Sequence, residues 1–338
     1  MQKALFRILI IAMVVMGSAI PAAQALVINI NPGEDLAANA PALAAFNRGA
    51  DQWEAKFTDP ITVNINADLQ PLGPGILGQA SSFILSSTYD FLKNRMIADA
   101  VGYPEHAIVS NLPDNPLFYV PRGISPSGVS ATKANWKALG VADPRPDDAD
   151  AQITFNTDFN WTFERPGGMV TPDTYDFETV AAHEIGHALG FFSDVDRVDY
   201  LVYNDRTGDV WPTPLDLFRF REGEAPTTLT EFQTRIRSLE PKVAAVTADT
   251  IFTFPMSTGR YTGDGRQASH WKDDALLDYW IGLMDPTFAS GVYFDVADAD
   301  VRALDLMGYD LRVVVPLPGA VYLLASGLGL LIFWRRRP

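Results

Sequence analysis

The chain has no cysteine and only four histidines among its 338 residues. Without thiols, no disulfide can staple the fold and no thiolate can bind or cap a metal. Stability must come from core packing, which a chain of this length can supply. Positive charge is also scarce. There are 26 Lys and Arg against 41 Asp and Glu, a formal charge of −15. Such a surface repels nucleic acid and anionic lipid and favours solubility. No internal repeat and no long low-complexity tract interrupts the sequence, and proline and glycine are spread through it.

The two ends read as processing signals. Residues 1–25 carry Lys3 and Arg7, an apolar run from Ile8 to Met16, then small residues at Ala23 and Ala25. That order defines a secretory signal peptide with cleavage after Ala25. Residues 313–338 contain Pro316 and Pro318, an apolar run from Gly319 to Trp334, and Arg335, Arg336 and Arg337. The run is just short of the usual spanning length of about 17 to 25 residues. The arginines would face the cytoplasm by the positive-inside rule. Losing the five cations of the two ends leaves the middle near −20.

Between the ends, residues 26–312 predict one α+β domain. Leu43, Phe46, Ala50, Trp53 and Phe57 recur at helical spacing, and Ile61, Val63 and Ile65 alternate with polar residues as a half-buried strand does. A second helix is expected in 86–102. Residues 151–164 predict a strand with Ile153, Phe155, Phe159, Trp161 and Phe163 on one face. It is either an edge that pairs with an extended peptide or a fully paired interior strand. A helix follows, capped at Asp176, with Phe177, Ala181, Ile185, Ala188 and Leu189 toward the core and Gly190 ending it. Residues 191–269 look like a long insertion. A capped helix stopped at Gly308 closes the domain, and the acidic run before it reads as solvated turns and caps.

The helix after Asp176 carries "HEIGH", 183–187. Residues four apart lie on one helical face, so His183 and His187 can share one ion. Glu184 lies close enough to hold a water there. Two histidines do not complete a catalytic site, and the following "SDVD" has no third. The remaining candidates are His270, in "ASHW", and the carboxylates of Asp194 and Asp196. His106 reads as a surface or loop histidine.

"HEIGHALGF", the long insertion, "ASHW", "LMDP" and "VRALDLMGYDL" together resemble the metzincin metallopeptidases, and within them the leishmanolysin-type branch. The resemblance implies a metzincin-like zinc peptidase domain with a twisted mixed sheet, an active-site helix and a C-terminal helical subdomain. It implies Zn2+ held by His183, His187 and His270, Glu184 as general base, and Met284 in a turn beneath the metal. The sequence departs from the compact metzincin pattern at Ser193, where histidine or aspartate is usual, which keeps Asp194 and Asp196 open as ligands. Tyr261, Tyr279 and Tyr293 are candidates to assist.

The expected function is an exported zinc endopeptidase acting on protein or peptide. The alternative is a non-catalytic zinc-binding surface or biofilm-matrix protein on the same fold. The tail resembles the PEP-CTERM sorting signals in their VPLP variant. This implies exosortase-type machinery as a partner and the envelope, surface or extracellular matrix of a Gram-negative bacterium as the destination. Membrane contact would be only through the tail, and no nucleic-acid partner is expected.

Overall fold

The computed structural model describes residues 25–312, so all of the expected signal peptide except Ala25, and the whole tail at 313–338, lie outside the described residues. Among the described residues, no helix is long and apolar enough to cross a membrane.

Four strands form the main sheet: β1 Val27–Pro32, β2 Thr62–Gln70, β3 Gly78–Ser82 and β4 Ala151–Asn156. Their spatial order is β1-β2-β4-β3. β1 and β4 run parallel to β2, and β3 runs antiparallel to β4. The sheet is therefore mixed, in an α+β arrangement consistent with a metzincin-like domain. β2 buries Val63, Ile65 and Ala67 and turns Asn64 and Asn66 outward, as its alternation predicts.

Of the two placements open for the strand expected over 151–164, the interior one holds: it is paired on both sides, with β3 beyond it at an edge of the sheet. It differs from expectation in stopping at Asn156. The buried Asn156 side chain donates to the carbonyls of Gly73 and Ile76, 2.8 Å each, and accepts from Leu72 and Asp158 N–H. Those bonds turn the chain, and only Trp161–Thr162 resumes a strand, against Tyr175–Asp176.

Helix α1, Ala40–Glu54, covers the sheet. The side chain of Asn39 caps it, accepting from Ala42 N–H at 3.2 Å. Its buried face, Ala42, Phe46, Gly49, Ala50 and Trp53, lies against the helix that carries the histidine motif, α3 Phe177–Leu189. Helix α2, Tyr89–Asp99, lies between the two in sequence. Gly49 lets the two backbones approach: a Cβ there would stand 3.0 Å from Ala182 N. Trp53 crosses the gap and donates Nε1–H to the Ala182 carbonyl at 2.8 Å. Burying such an aromatic side chain is worth about 2–3 kcal/mol.

Helix α3 begins at Asp176, whose Oδ2 accepts from Thr179 N–H at 2.9 Å. It ends at Gly190, whose φ of 126° suits glycine alone. Its expected core residues are all buried.

Residues 191–269, read from sequence as an insertion, contain helix α4, Val195–Tyr203, and a second sheet of β5 Arg219–Arg221, β6 Ala245–Ala248 and β7 Thr253–Met256. A second core joins Leu92 and Met96 of α2 to Leu217, Phe218, Phe220, Phe232 and Val246.

Helix α5, Asp298–Leu306, is the expected closing helix, and Gly308 follows it at φ 102°. Beyond it Tyr309 donates its hydroxyl to Leu189 O at 2.6 Å, which satisfies a carbonyl at the end of α3. Thr58 N–H then bonds Asp310 O at 2.8 Å, and Asp310 N–H bonds Asp59 Oδ2 at 3.0 Å.

Burial, with Asp310 adjacent, pushes the Asp59 carboxyl up to about 8. A carboxyl whose folded pKa lies above its unfolded one favours the fold only while protonated. Its contribution is complete below about pH 4 and is lost as pH rises through about 8. Asp59→Asn is therefore expected to raise the urea midpoint above about pH 8, with the gain over wild type shrinking as pH falls. A gain that grows toward acid would contradict this. In the helix pair, Gly186→Ala would bring a Cβ 2.4 Å from Met284 Sδ and 3.2 Å from Trp53. It should cost about 1–3 kcal/mol in urea unfolding with an unchanged m-value.

Candidate metal centre

His183 and His187 project from α3 into a cleft, and a third imidazole meets them from the far end of the insertion. The Nε2 atoms of His183, His187 and His270 form a triangle of sides 3.2, 3.2 and 3.3 Å. Each ring is oriented by a carbonyl at its other nitrogen. His183 Nδ1 meets Leu283 O at 2.8 Å, His187 Nδ1 meets Phe191 O at 2.7 Å, and His270 Nδ1 meets Gln267 O at 3.2 Å. A carbonyl only accepts, so each Nδ1 carries the proton and each Nε2 presents a bare lone pair. Burial depresses all three pKa values, to about 3 for His183, about 4 for His187 and well below the usual range for His270. The imidazoles are neutral, as metal ligation requires.

Three lone pairs converging at this distance repel unless a cation lies among them. Tetrahedral zinc with bonds of about 2.0–2.1 Å places neighbouring nitrogens about 3.3–3.4 Å apart. The donor set, its spacing and its fixed tautomers all fit zinc, and these three residues could hold it.

His270 owes its place to two neighbouring segments. Met256 bridges to Trp271, and Ser257 N–H bonds His270 O at 3.1 Å, so the His270 strand runs beside the end of β7. On its other side Trp271 N–H bonds Met284 O at 2.9 Å. Met284 lies fully buried against Gly186, which stands between the two motif histidines in α3. The segment of the expected methionine turn thus packs against the motif helix, and its Leu283 carbonyl is the one that orients His183.

Neither Asp194 nor Asp196 joins the cluster. Asp194 Oδ2 accepts from Trp211 N–H at 2.6 Å. Asp196 accepts from Ala268 N–H at 2.6 Å, Ser269 N–H at 3.1 Å and the Ser269 hydroxyl. Asp196 therefore ties α4 to the two residues before His270 and positions a ligand without being one. Ser193, at the position where the compact pattern has a ligand, donates its hydroxyl to the buried Asp216 at 2.6 Å. His106 lies in a short helical turn, His106–Val109, as a half-buried loop histidine.

Glu184 is nearly buried beside the histidines, and burial pushes its carboxyl up to about 8 while the Ala80 backbone opposes this. It fits because Gly78 has no side chain: a Cβ there would stand 2.9 Å from Glu184 Oε1. The motif face is thus the floor of a cleft. The cleft measures about 810 Å³. One wall is Gly75–Ala80 and Ser82, which includes most of the edge strand β3. The other is formed by Arg260 and residues 265–267, 269–270 and 286–288. None of Tyr261, Tyr279 and Tyr293 lines it, and the tyrosine that does is Tyr175. Tyr261 instead stacks on Tyr203 at 5.0 Å, and Tyr293 lies under Arg165 at 4.1 Å.

Sequence reasoning missed Asp300. It sits in a run that reads as solvated, yet it is fully buried. Its carboxylate accepts from Trp271 Nε1 at 2.7 Å, Leu283 N at 2.7 Å, Met284 N at 3.1 Å and Ala297 N at 2.9 Å. Burial raises its pKa and the four donors oppose that rise. One carboxylate thus joins α5, the methionine turn and the residue after His270. Its place as the third residue of the closing helix, where an acidic side chain can reach back to the N-cap N–H, was the one available signal.

A family model described as Peptidase_M10, matrixin, matches residues 131–209, which include the whole of α3 and end before His270. The match covers less than half of the chain. With the histidine cluster it supports a metzincin-type zinc metallopeptidase. No curated protein and no solved structure matches the chain.

Asp300→Asn would turn an amide toward groups that only donate. It should cost about 2–5 kcal/mol of stability and lower zinc content measured after dialysis, whereas the exposed Asp298→Asn should change neither. Full zinc retention in a folded Asp300→Asn protein would remove Asp300 from the account of the site.

Proposed function

We propose that the chain is an exported zinc-dependent endopeptidase. The observation that carries this reading is Glu184 held beside three bare imidazole nitrogens on the floor of an open cleft. A site for metal binding alone has no need of a buried carboxylate next to the ligands, which disfavours a non-catalytic zinc-binding matrix protein.

His183, His187 and His270 would hold the ion, with Met284 packed beneath. Zinc, when bound, supplies a Lewis acid that polarises a carbonyl and lowers the pKa of water from about 16 to about 7. The remaining work belongs to the chain. Glu184 accepts a proton from the attacking water and delivers it to the leaving amine. The free edge of β3 offers backbone hydrogen bonds to an extended peptide, so binding is indifferent to most side chains. The two walls hold that peptide across the floor with its carbonyl near Glu184.

The long insertion before His270 favours the leishmanolysin-like branch. Residues 1–25 and 313–338 carry the proposal of export and of PEP-CTERM sorting by an exosortase-type partner. The proposed destination is the envelope, surface or extracellular matrix of a Gram-negative cell.

The test is zinc stoichiometry beside casein hydrolysis. Glu184→Gln should keep about one zinc per chain and lose on the order of 10²–10⁴ in rate. His270→Ala should lose the zinc. Undiminished hydrolysis in Glu184→Gln would end the endopeptidase reading.

A further inference from the structure

The chain is strongly acidic, but its cleft is not. Among the residues that line it, Glu184 is the single carboxylate, while Arg260 and Arg266 stand on the wall that carries His270. In a sequence with 41 acidic and 26 basic residues, that local reversal calls for a physical reason.

The two arginines differ. Arg266 Nε is paired with the buried Asp273, so its charge is largely matched. Lys272, nearby, is matched by Asp264 at 2.6 Å. Arg260 is exposed, and among the described residues it has no carboxylate within salt-bridge distance. Two acidic groups bond this loop and both are engaged: Asp264 accepts from Thr258 N–H at 3.1 Å and Arg266 N–H at 3.2 Å besides pairing with Lys272, and Asp199 of α4 is buried. Asp199 accepts from Tyr261 N–H at 2.7 Å, Thr262 N–H at 2.9 Å and the Thr262 hydroxyl at 2.6 Å. Gly259 N–H bonds Arg266 O at 3.0 Å and Gly265 N–H bonds Gly259 O at 3.1 Å, which closes the loop on itself. Gly263 is required there, since a Cβ would meet Thr258 O at 2.4 Å. The loop is therefore a stiff platform that presents one unmatched guanidinium at the cleft rim. Such a group recognises a carboxylate in two-point geometry.

We propose that Arg260 selects peptides bearing an acidic side chain near the scissile bond, on the side of the cleft lined by Arg260, Arg266 and His270. Arg266 adds to the attraction through the nitrogens that Asp273 does not use. This rests on the endopeptidase reading and names its substrate class. The acidic surface outside the cleft would repel such a peptide, so the arginine also fixes where it can land.

The experiment uses the zinc-loaded protein and a peptide series in which Glu, Gln or Lys is placed in turn at each position around one cleavable bond. At one position Glu is expected to give about tenfold higher kcat/KM than Gln, with Lys lower than either. Arg260→Gln should abolish the advantage of Glu, and Arg260→Glu should reverse it in favour of Lys. Both variants should keep wild-type zinc content and melting temperature. Added salt should shrink the preference. A second readout needs no turnover: fluorescently labelled Glu and Lys peptides are titrated onto Glu184→Gln protein with and without Arg260→Glu. Tighter binding of the Glu peptide, lost with Arg260→Glu, supports the proposal. Equal handling of Glu, Gln and Lys at every position, or a Glu preference that survives Arg260→Glu, would overturn it. A protein that cuts no peptide would instead count against the endopeptidase reading, and the binding titration would still decide the charge preference.

Discussion

Three nitrogen lone pairs that face one another at 3.2–3.3 Å are the constraint on which this structure turns. Neutral imidazoles gain nothing from such an approach, and a buried cation makes it favourable. The backbone carbonyls of Leu283, Phe191 and Gln267 hold the three rings in that state. They come from three different segments. The methionine turn, the end of the motif helix and the loop before His270 must therefore all be in register before the triangle can form.

A chain without cysteine keeps that register with buried carboxylates. Asp300 gathers four donors from the turn, Trp271 and the last helix. Asp216 accepts from Ser193, Asp194 and Thr213 where the motif helix has just ended. Asp196 and Asp199, on one helix, hold the His270 approach and the Arg260 loop. Each is a buried carboxyl group placed where several backbone N–H groups converge. Such an arrangement is directional in a way that apolar packing is not. The acidity that reads in the sequence as a surface property is thus partly internal, and it does the positioning work that disulfides do in cysteine-rich proteins.

The elements that sequence made legible are those with strong periodicity or a short-range signature. Helix α1, strand β2, the Asp176 cap, the Gly190 stop and the helix before Gly308 follow from local patterns. The place of His270 was legible only as one of several options, because 82 residues lie between it and His187 and no local rule spans that gap. The break in β4 was hidden because its cause is a tertiary one, the bonds of Asn156 to the loop at 72–76. Burial of Asp196 and Asp300 was invisible for the same reason: an aspartate looks alike in sequence whether water or four amides surround it. Whether the strand at 151–156 was an edge or an interior one stayed open, since alternation marks a strand but says nothing of how many neighbours it has.

The most direct test is X-ray absorption at the zinc edge on the purified protein, compared with His270→Ala. The account predicts about one zinc per chain, with three imidazole nitrogens and one oxygen in its shell and an imidazole signature that weakens in the variant. A wild-type shell of two imidazoles with carboxylate oxygen, or a protein that takes up no zinc, would contradict it.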